Sequence, residues 1–206
     1  MSHIFAIGDI HGCFDKLKNL MDKINWDPAE DTLVFMGDYI DRGPESYQVI
    51  EYLLGLKKQS ENLVFLMGNH EQLFQEYLAG KSKQLFLFNG GLNTLASYPE
   101  QGRNIPDAHI EFLSSLLLYY ETEEYIFVHA GLREGIPLHQ QSIKDLIWIR
   151  EEFILSDYDY GKKVVFGHTP FDKPLVQDNK IGIDTGAVYG GMLTCLELPE
   201  VNFYSV

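Results

Sequence analysis

The chain has 206 residues, 45% of them apolar, with 30 acidic and 16 basic side chains and a formal net charge of −14. That length fits one domain with a substantial core, so a single domain over 1–206 is expected; the acidic balance repels DNA, RNA and anionic lipid, which excludes nucleic acid and membrane as partners of choice. No run approaches the roughly 18 uninterrupted apolar residues of a membrane span, no basic block precedes an apolar one at the N-terminus, and Cys13 and Cys195 form neither a disulfide framework nor a CxxC pair, so a soluble protein of the reducing cytoplasm is expected.

In chain order, Ile4–Ile7 reads as a short buried strand, followed by Phe14, Leu17, Leu20, Met21 and Ile24 at helical spacing. The apolar run 33–36 predicts a second strand and Tyr47, Ile50, Leu53 and Leu54 a second helix. A third run, 63–67, leads into a helical pattern over 71–78. The aromatic stretch 73–98, around Asn89-Gly90-Gly91, predicts a small helical or irregular excursion. Ile110, Leu113 and Leu117 then mark a helix, 125–128 a strand, Ile143, Leu146 and Ile147 a helix, and 164–166 and 181–183 two further strands. Strands alternating with helices predict an α/β fold with layered sheets.

The short segments just past the apolar runs carry the chemistry: GDIHG (8–12), GDYIDRG (37–43), GNHE (68–71), HAG (129–131), GHT (167–169) and DTG (184–186). Polar side chains therefore gather at the carboxyl ends of strands, the edge where α/β sheets bind ligands. Taken singly, Asp9 could cap the helix near Phe14, Asp38 could be a turn aspartate, and Asn69 could be the N-cap of the helix after it. The histidines discriminate better. His3, His109 and His139 have no glycine beside them and no strand before them and read as surface or packing residues, whereas His11, His70, His129 and His168 each sit just past a strand. Imidazole with carboxylate and no thiolate suits manganese, iron or zinc and argues against a structural zinc knot; dispersed ligands with histidines argue against a calcium loop. Asp9, His11, Asp38, Asn69, His129 and His168 make six ligands, more than one open ion needs. If Asp38 bridges, they hold two ions roughly 3.5 to 4 Å apart, the clamp of phosphoryl hydrolysis.

In this order the motifs resemble the phosphoprotein phosphatase (PPP) family of dinuclear metallophosphoesterases, and the stretch IDTGAVYGGMLTCLEL (183–198) is similar to its bacterial and phage-like branch. That branch includes serine/threonine phosphatases and diadenosine tetraphosphatases. The resemblance implies the calcineurin-like metallophosphoesterase fold, two packed mixed β-sheets flanked by helices. It also implies Asp9 and His11 on one metal, Asn69, His129 and His168 on the other, and Asp38 between them. His70 would be the general acid, oriented by Asp41, with Arg42 and Arg150 gripping the substrate phosphate. Some members have arginine where this chain has Met67, which removes one phosphate contact.

Two divalent ions, manganese first with iron or zinc as alternatives, would activate water for direct attack on phosphorus. The expected function is therefore a phosphomonoesterase of the serine/threonine protein phosphatase type, acting on a phosphorylated protein or a small phosphoester, with no regulatory-subunit docking sequence in evidence. The alternative is a dinucleoside polyphosphate hydrolase. It is ranked second because the segment 73–103 carries only Lys81, Lys83 and Arg103 as cations. A metal-binding scaffold without catalysis would leave Asp41, Arg42 and His70 without a purpose.

Overall fold

The computed structural model describes residues 2–102 and 104–206 of the chain; Arg103 lies outside the described residues. In the first half, β1 (Ile4–Ile7), α1 (Phe14–Lys23), β2 (Thr32–Phe35), α2 (Ser46–Lys57), β3 (Leu63–Phe65) and α3 (Asn69–Leu78) alternate, and α4 (Lys83–Phe86), α5 (Leu92–Ser97) and α6 (Asp107–Ser114) come after them. In the second half come β4 (Tyr119–Glu121), β5 (Tyr125–Val128), α7 (Ile143–Trp148), α8 (Glu151–Ile154), β6 (Lys163–Phe166), β7 (Leu175–Val176), β8 (Lys180–Gly182), β9 (Thr194–Leu198) and β10 (Asn202–Ser205).

The strands form two five-stranded mixed sheets, ordered β10-β9-β1-β2-β3 and β4-β5-β6-β8-β7. β1, β2 and β3 run parallel in the first sheet, and β5, β6 and β8 in the second. The side-chain alternation along each strand explains why the runs are apolar throughout. Phe5 and Ile7 pack outward against helices while Ala6 packs inward; Leu33 and Phe35 face out while Val34 faces in; and in the second sheet Phe127 and Val165 face in while Ile126, Val128, Val164 and Phe166 face out. Ala6, Val34, Met36, Leu66, Phe127, Val165, Ile181, Ile183, Leu196 and Leu198 thus make a core between the sheets. The helices α1, α2, α3 and α6 cover one outer face, and α7 and α8 cover the other. A strand buried on both faces has no polar side to show.

The parallel strands of both sheets deliver their carboxyl ends to the same edge. Ile10 and His11 N–H donate to the Asp38 carbonyl (3.1 and 2.8 Å), which joins the loops after β1 and β2. Gly167 N–H donates to the His129 carbonyl (2.8 Å) and joins those after β5 and β6.

The excursion over 73–98 takes the helical of its two expected forms: α3 is followed by α4, a π-turn at Leu87–Gly91 and α5, and the rings of Phe74, Tyr77 and Phe86 pack together beneath it. Four strands, β4, β7, β9 and β10, stand outside the expected set. β4, β7 and β10 carry exposed or half-buried residues, and β9 places Glu197 between Leu196 and Leu198, so their hydrophobic pattern is broken.

Candidate active site

All ten predicted site residues lie at this common edge, in the loops after β1, β2, β5 and β6, in the first turn of α3 and just before α8. Asp38 is at the centre, 1% exposed, and its two carboxylate oxygens face opposite ways. Oδ2 lies 3.3 Å from His11 Nε2 and 4.0 Å from His70 Nε2. Oδ1 lies 3.5 Å from His129 Nε2 and accepts the His70 N–H at 3.1 Å. His11, Asp38 and His70 form one cluster of metal-competent atoms, and Asp38, His129 and His168 form a second, with Asp38 common to both.

The imidazoles are set for coordination by bonds on their far sides. His11 Nδ1 donates to the Ile40 carbonyl and His129 Nδ1 to the Met36 carbonyl, both at 2.8 Å, so each presents an Nε2 lone pair to the site. His168 Nε2 is buried without a hydrogen-bond partner. Asn69 Oδ1 is 3.2 Å from His129 Nε2. Asp9 accepts the His168 N–H on both oxygens (3.1 and 3.0 Å). A buried acceptor pointing at other acceptors, without a donor between them, fits a site built for cations.

The electrostatics run the same way. Burial, with Asp184 and Asp38 nearby, pushes the Asp9 carboxyl well above the usual carboxylate range. Burial would raise Asp38 too, but His129, His70 and His11 more than offset it and hold it well below. Burial lowers His129, against the pull of the Asp38 charge, and takes His168 down to about 2, toward the neutral imidazole that binds metal.

His70 is bound differently. Its Nδ1 is 2.7 Å from Asp41 Oδ2, and Asp41 is itself fixed by Thr94, whose hydroxyl donates to Asp41 Oδ1 at 2.6 Å and accepts the Asp41 N–H at 2.8 Å. Ser46 Oγ also accepts that N–H, at 3.1 Å. His70 Nε2 has no partner and faces the site. Arg42 Nη1 donates to His11 Nε2 at 2.7 Å, and Arg150 Nη1 to Thr169 Oγ1 at 3.2 Å. Met67, at the position where some members with this motif carry arginine, packs into the helix-side core.

The backbone is bent to make this possible. His11, Asp38, Asp41, Arg42 and His168 all have φ between 47° and 70°, the left-handed region that such residues rarely adopt. The glycines of the motifs give the loops room: a Cβ on Gly68 would collide with Asp38 Oδ1 and one on Gly167 with Asp9 Oδ1.

The capping roles considered for Asp9 and Asn69 are not the ones found. α1 starts after Cys13 without a side-chain cap, and Asn69 is the first residue of α3, behind Gly68. The residue that serves the α3 end is Glu71, to which the motif alone assigns no role. Its carboxylate accepts the N–H groups of Gly68 (3.0 Å), Asp38 and Tyr39 (2.9 Å each) and Ile40 (3.4 Å). Burial and the Asp38 charge push its pKa up to about 8, against the pull of those donors. Its place as the third residue of α3 is the capping-box position, a signal in the sequence. Thr94 had no such signal. Of the histidines set aside, His109 is buried between Tyr98 and Glu51, His3 is half-buried against Glu197, and His139 is exposed.

A family model described as calcineurin-like phosphoesterase matches residues 2–194. The bis(5'-nucleosyl)-tetraphosphatase PrpE [asymmetrical] of Bacillus cereus is 31% identical over 229 residues, covering 97% of this chain and 92% of the relative. The protein of the same name from Halalkalibacterium halodurans is 28% identical over 232 residues with the same coverage. A crystal structure described as that of a candidate diadenosine tetraphosphatase superposes with a TM-score of 0.77 at 24% identity, covering all of this chain and 93% of that one. Among the described residues no helix is long and apolar enough to cross a membrane.

Proposed function

Since the chain belongs to the calcineurin-like phosphoesterase family, we propose that it is a metal-dependent hydrolase that cleaves dinucleoside tetraphosphates asymmetrically, acting as one catalytic domain over 1–206 in the cytoplasm. The observation that carries the chemistry is Asp38, whose two oxygens face separate imidazole clusters. The substrate is supported by the two PrpE relatives, which favour the tetraphosphate over the serine/threonine phosphoprotein that the motifs put first.

Asp9, His11, Asp38, Asn69, His129 and His168 would hold two divalent ions, manganese in the first instance with iron or zinc compatible with the same donors. Bound there, the ions supply water activated for attack and polarise the phosphoryl oxygens. The guanidinium forks of Arg42 and Arg150 hold the phosphate, where charge spreads in the transition state. His70, its Nδ1 proton tied to Asp41, holds a proton at Nε2 for the oxygen that leaves. Water oxygen joins phosphorus, the P–O–P bond breaks, and the leaving phosphate takes that proton. Cleavage next to a terminal phosphate of the chain gives a nucleoside triphosphate and a monophosphate.

The test compares diadenosine tetraphosphate, a phosphoserine peptide and 4-nitrophenyl phosphate with manganese in one series. ATP and AMP in equal amounts are expected, at a higher kcat/KM than phosphate release from the peptide. Preference for the peptide would restore the protein phosphatase; no release from any of the three would leave a metal-binding scaffold.

A further inference from the structure

Tyr189 stands beside the phosphate-binding arginine and belongs to neither the metal-ligand set nor the proton-transfer pair. The residue is 62% exposed, and Arg42 Cζ lies 5.4 Å from the ring centroid. The residue ends the short turn Ala187–Tyr189, between Gly186 and Gly190, both at positive φ. That turn is closed on itself by Tyr189 N–H and Gly191 N–H, which donate to the Gly186 carbonyl at 2.9 and 3.0 Å. It is also fastened from outside. Lys16 on α1 reaches across with Nζ and donates to the carbonyls of Ala187 (2.8 Å) and Gly191 (2.5 Å). A large aromatic ring thus stands largely in water on a turn fastened at its backbone, where it adds little to the core, with a cation against it.

The geometry points to Tyr189 as the platform on which a nucleobase of the substrate stacks while the adjoining phosphate lies on Arg42, with Lys16 as the positioning residue of the turn. A nucleoside 5'-phosphate joins a flat π system to a phosphate through one sugar, so a single nucleotide reaches ring and guanidinium together. The ring is sequence-tolerant, because every base has a π-face, and rigid, so little freedom is lost on stacking. A serine phosphopeptide carries no flat group that must accompany its phosphate. The assignment rests on the dinucleotide reading of the site.

The test separates the two. Inhibition constants for AMP and for inorganic phosphate are measured against 4-nitrophenyl phosphate hydrolysis, and the quantity tracked is the preference for AMP over phosphate. Wild-type protein is expected to prefer AMP. Tyr189→Ala is expected to lower that preference about 10-fold, the order of one base–aromatic stack. Tyr189→Phe should restore it, and Lys16→Met should lower it in part. A wild type with no preference for AMP, a Tyr189→Ala preference equal to wild type, or equal losses for both inhibitors would each overturn the platform; the last would make the ring a support for Arg42. Turnover of diadenosine tetraphosphate by the wild type is scored separately. Its absence would end the tetraphosphatase reading while the ratio still decides whether the ring binds a base.

Discussion

His70 and Asp38 illustrate how two side chains a few ångströms apart take different work. His70 Nδ1 is occupied by Asp41 at 2.7 Å, and its Nε2 is 4.0 Å from the shared carboxylate. On the proton-donor role proposed for it, His70→Asn should lower kcat by on the order of 10² to 10⁴. Metal content by elemental analysis should stay at the wild-type value; loss of metal would make His70 a ligand. Arg42 is argued the same way. Removing charge-assisted bonds of about 1.5 to 3 kcal/mol predicts that Arg42→Ala lowers kcat/KM on a phosphomonoester about 10- to 100-fold. Arg42→Lys should recover only part, because an ammonium has no fork. An unchanged kcat/KM in Arg42→Ala would remove the phosphate role. These residues were legible because each stands in a short motif past an apolar run. Thr94, which holds Asp41 at 2.6 Å, was not, since a threonine in a helix 53 residues on carries no local mark of that partner.

The loop after β2 is an element held by another element. Asp38, Asp41 and Arg42 all sit at positive φ, and the Glu71 carboxylate on α3 collects the N–H groups of Asp38, Tyr39 and Ile40. In Glu71→Gln the amide nitrogen faces donors it cannot accept. Oε2 accepts the Asp38 and Gly68 N–H groups and Oε1 those of Tyr39 and Ile40, so either orientation of the amide leaves two backbone donors unsatisfied, each at a cost of about 1 to 3 kcal/mol, to be read as a lower urea midpoint with unchanged slope. Because these donors belong to the loop that carries Asp38, the same variant should bind manganese more weakly; equal manganese affinity with lower stability would confine Glu71 to a structural role. The motif showed Glu71 but not its target, because the hydrogen-bonded groups lie 31 to 33 residues earlier in the chain. Whether the excursion over 73–98 is helical or irregular was left open for a related reason: its π-turn places Gly90 at φ 100° against the Arg42 backbone, and that fit belongs to the tertiary structure.

Across the molecule, the layering of two sheets was legible where strands are buried on both faces, as at Ile4–Ile7 and Tyr125–Val128, and was lost at the edges. β10, with Asn202 and Phe203 exposed, pairs on one side only and has no apolar run to announce it. The site sits where the parallel ends meet, so its buried histidines also set part of the pH dependence of folding. His168 is 4% exposed and its folded pKa is lowered to about 2 by burial, against about 6.5 unfolded. The unfolded chain therefore binds the extra proton below pH 6.5, and this contribution is complete above that pH and lost as pH falls. Asp9 and Glu71, both raised, act in the opposite sense over part of the same range, so the comparison is made with a variant. Metal-free wild type should lose about 2 kcal/mol more than metal-free His168→Asn between pH 7 and pH 5. The central claim, that one carboxylate serves two ions, is tested most directly by manganese bound per chain at saturation in wild type and Asp38→Asn. Two ions are expected for wild type and fewer than two for the variant; one ion in the wild type, or two in both, would contradict a shared carboxylate.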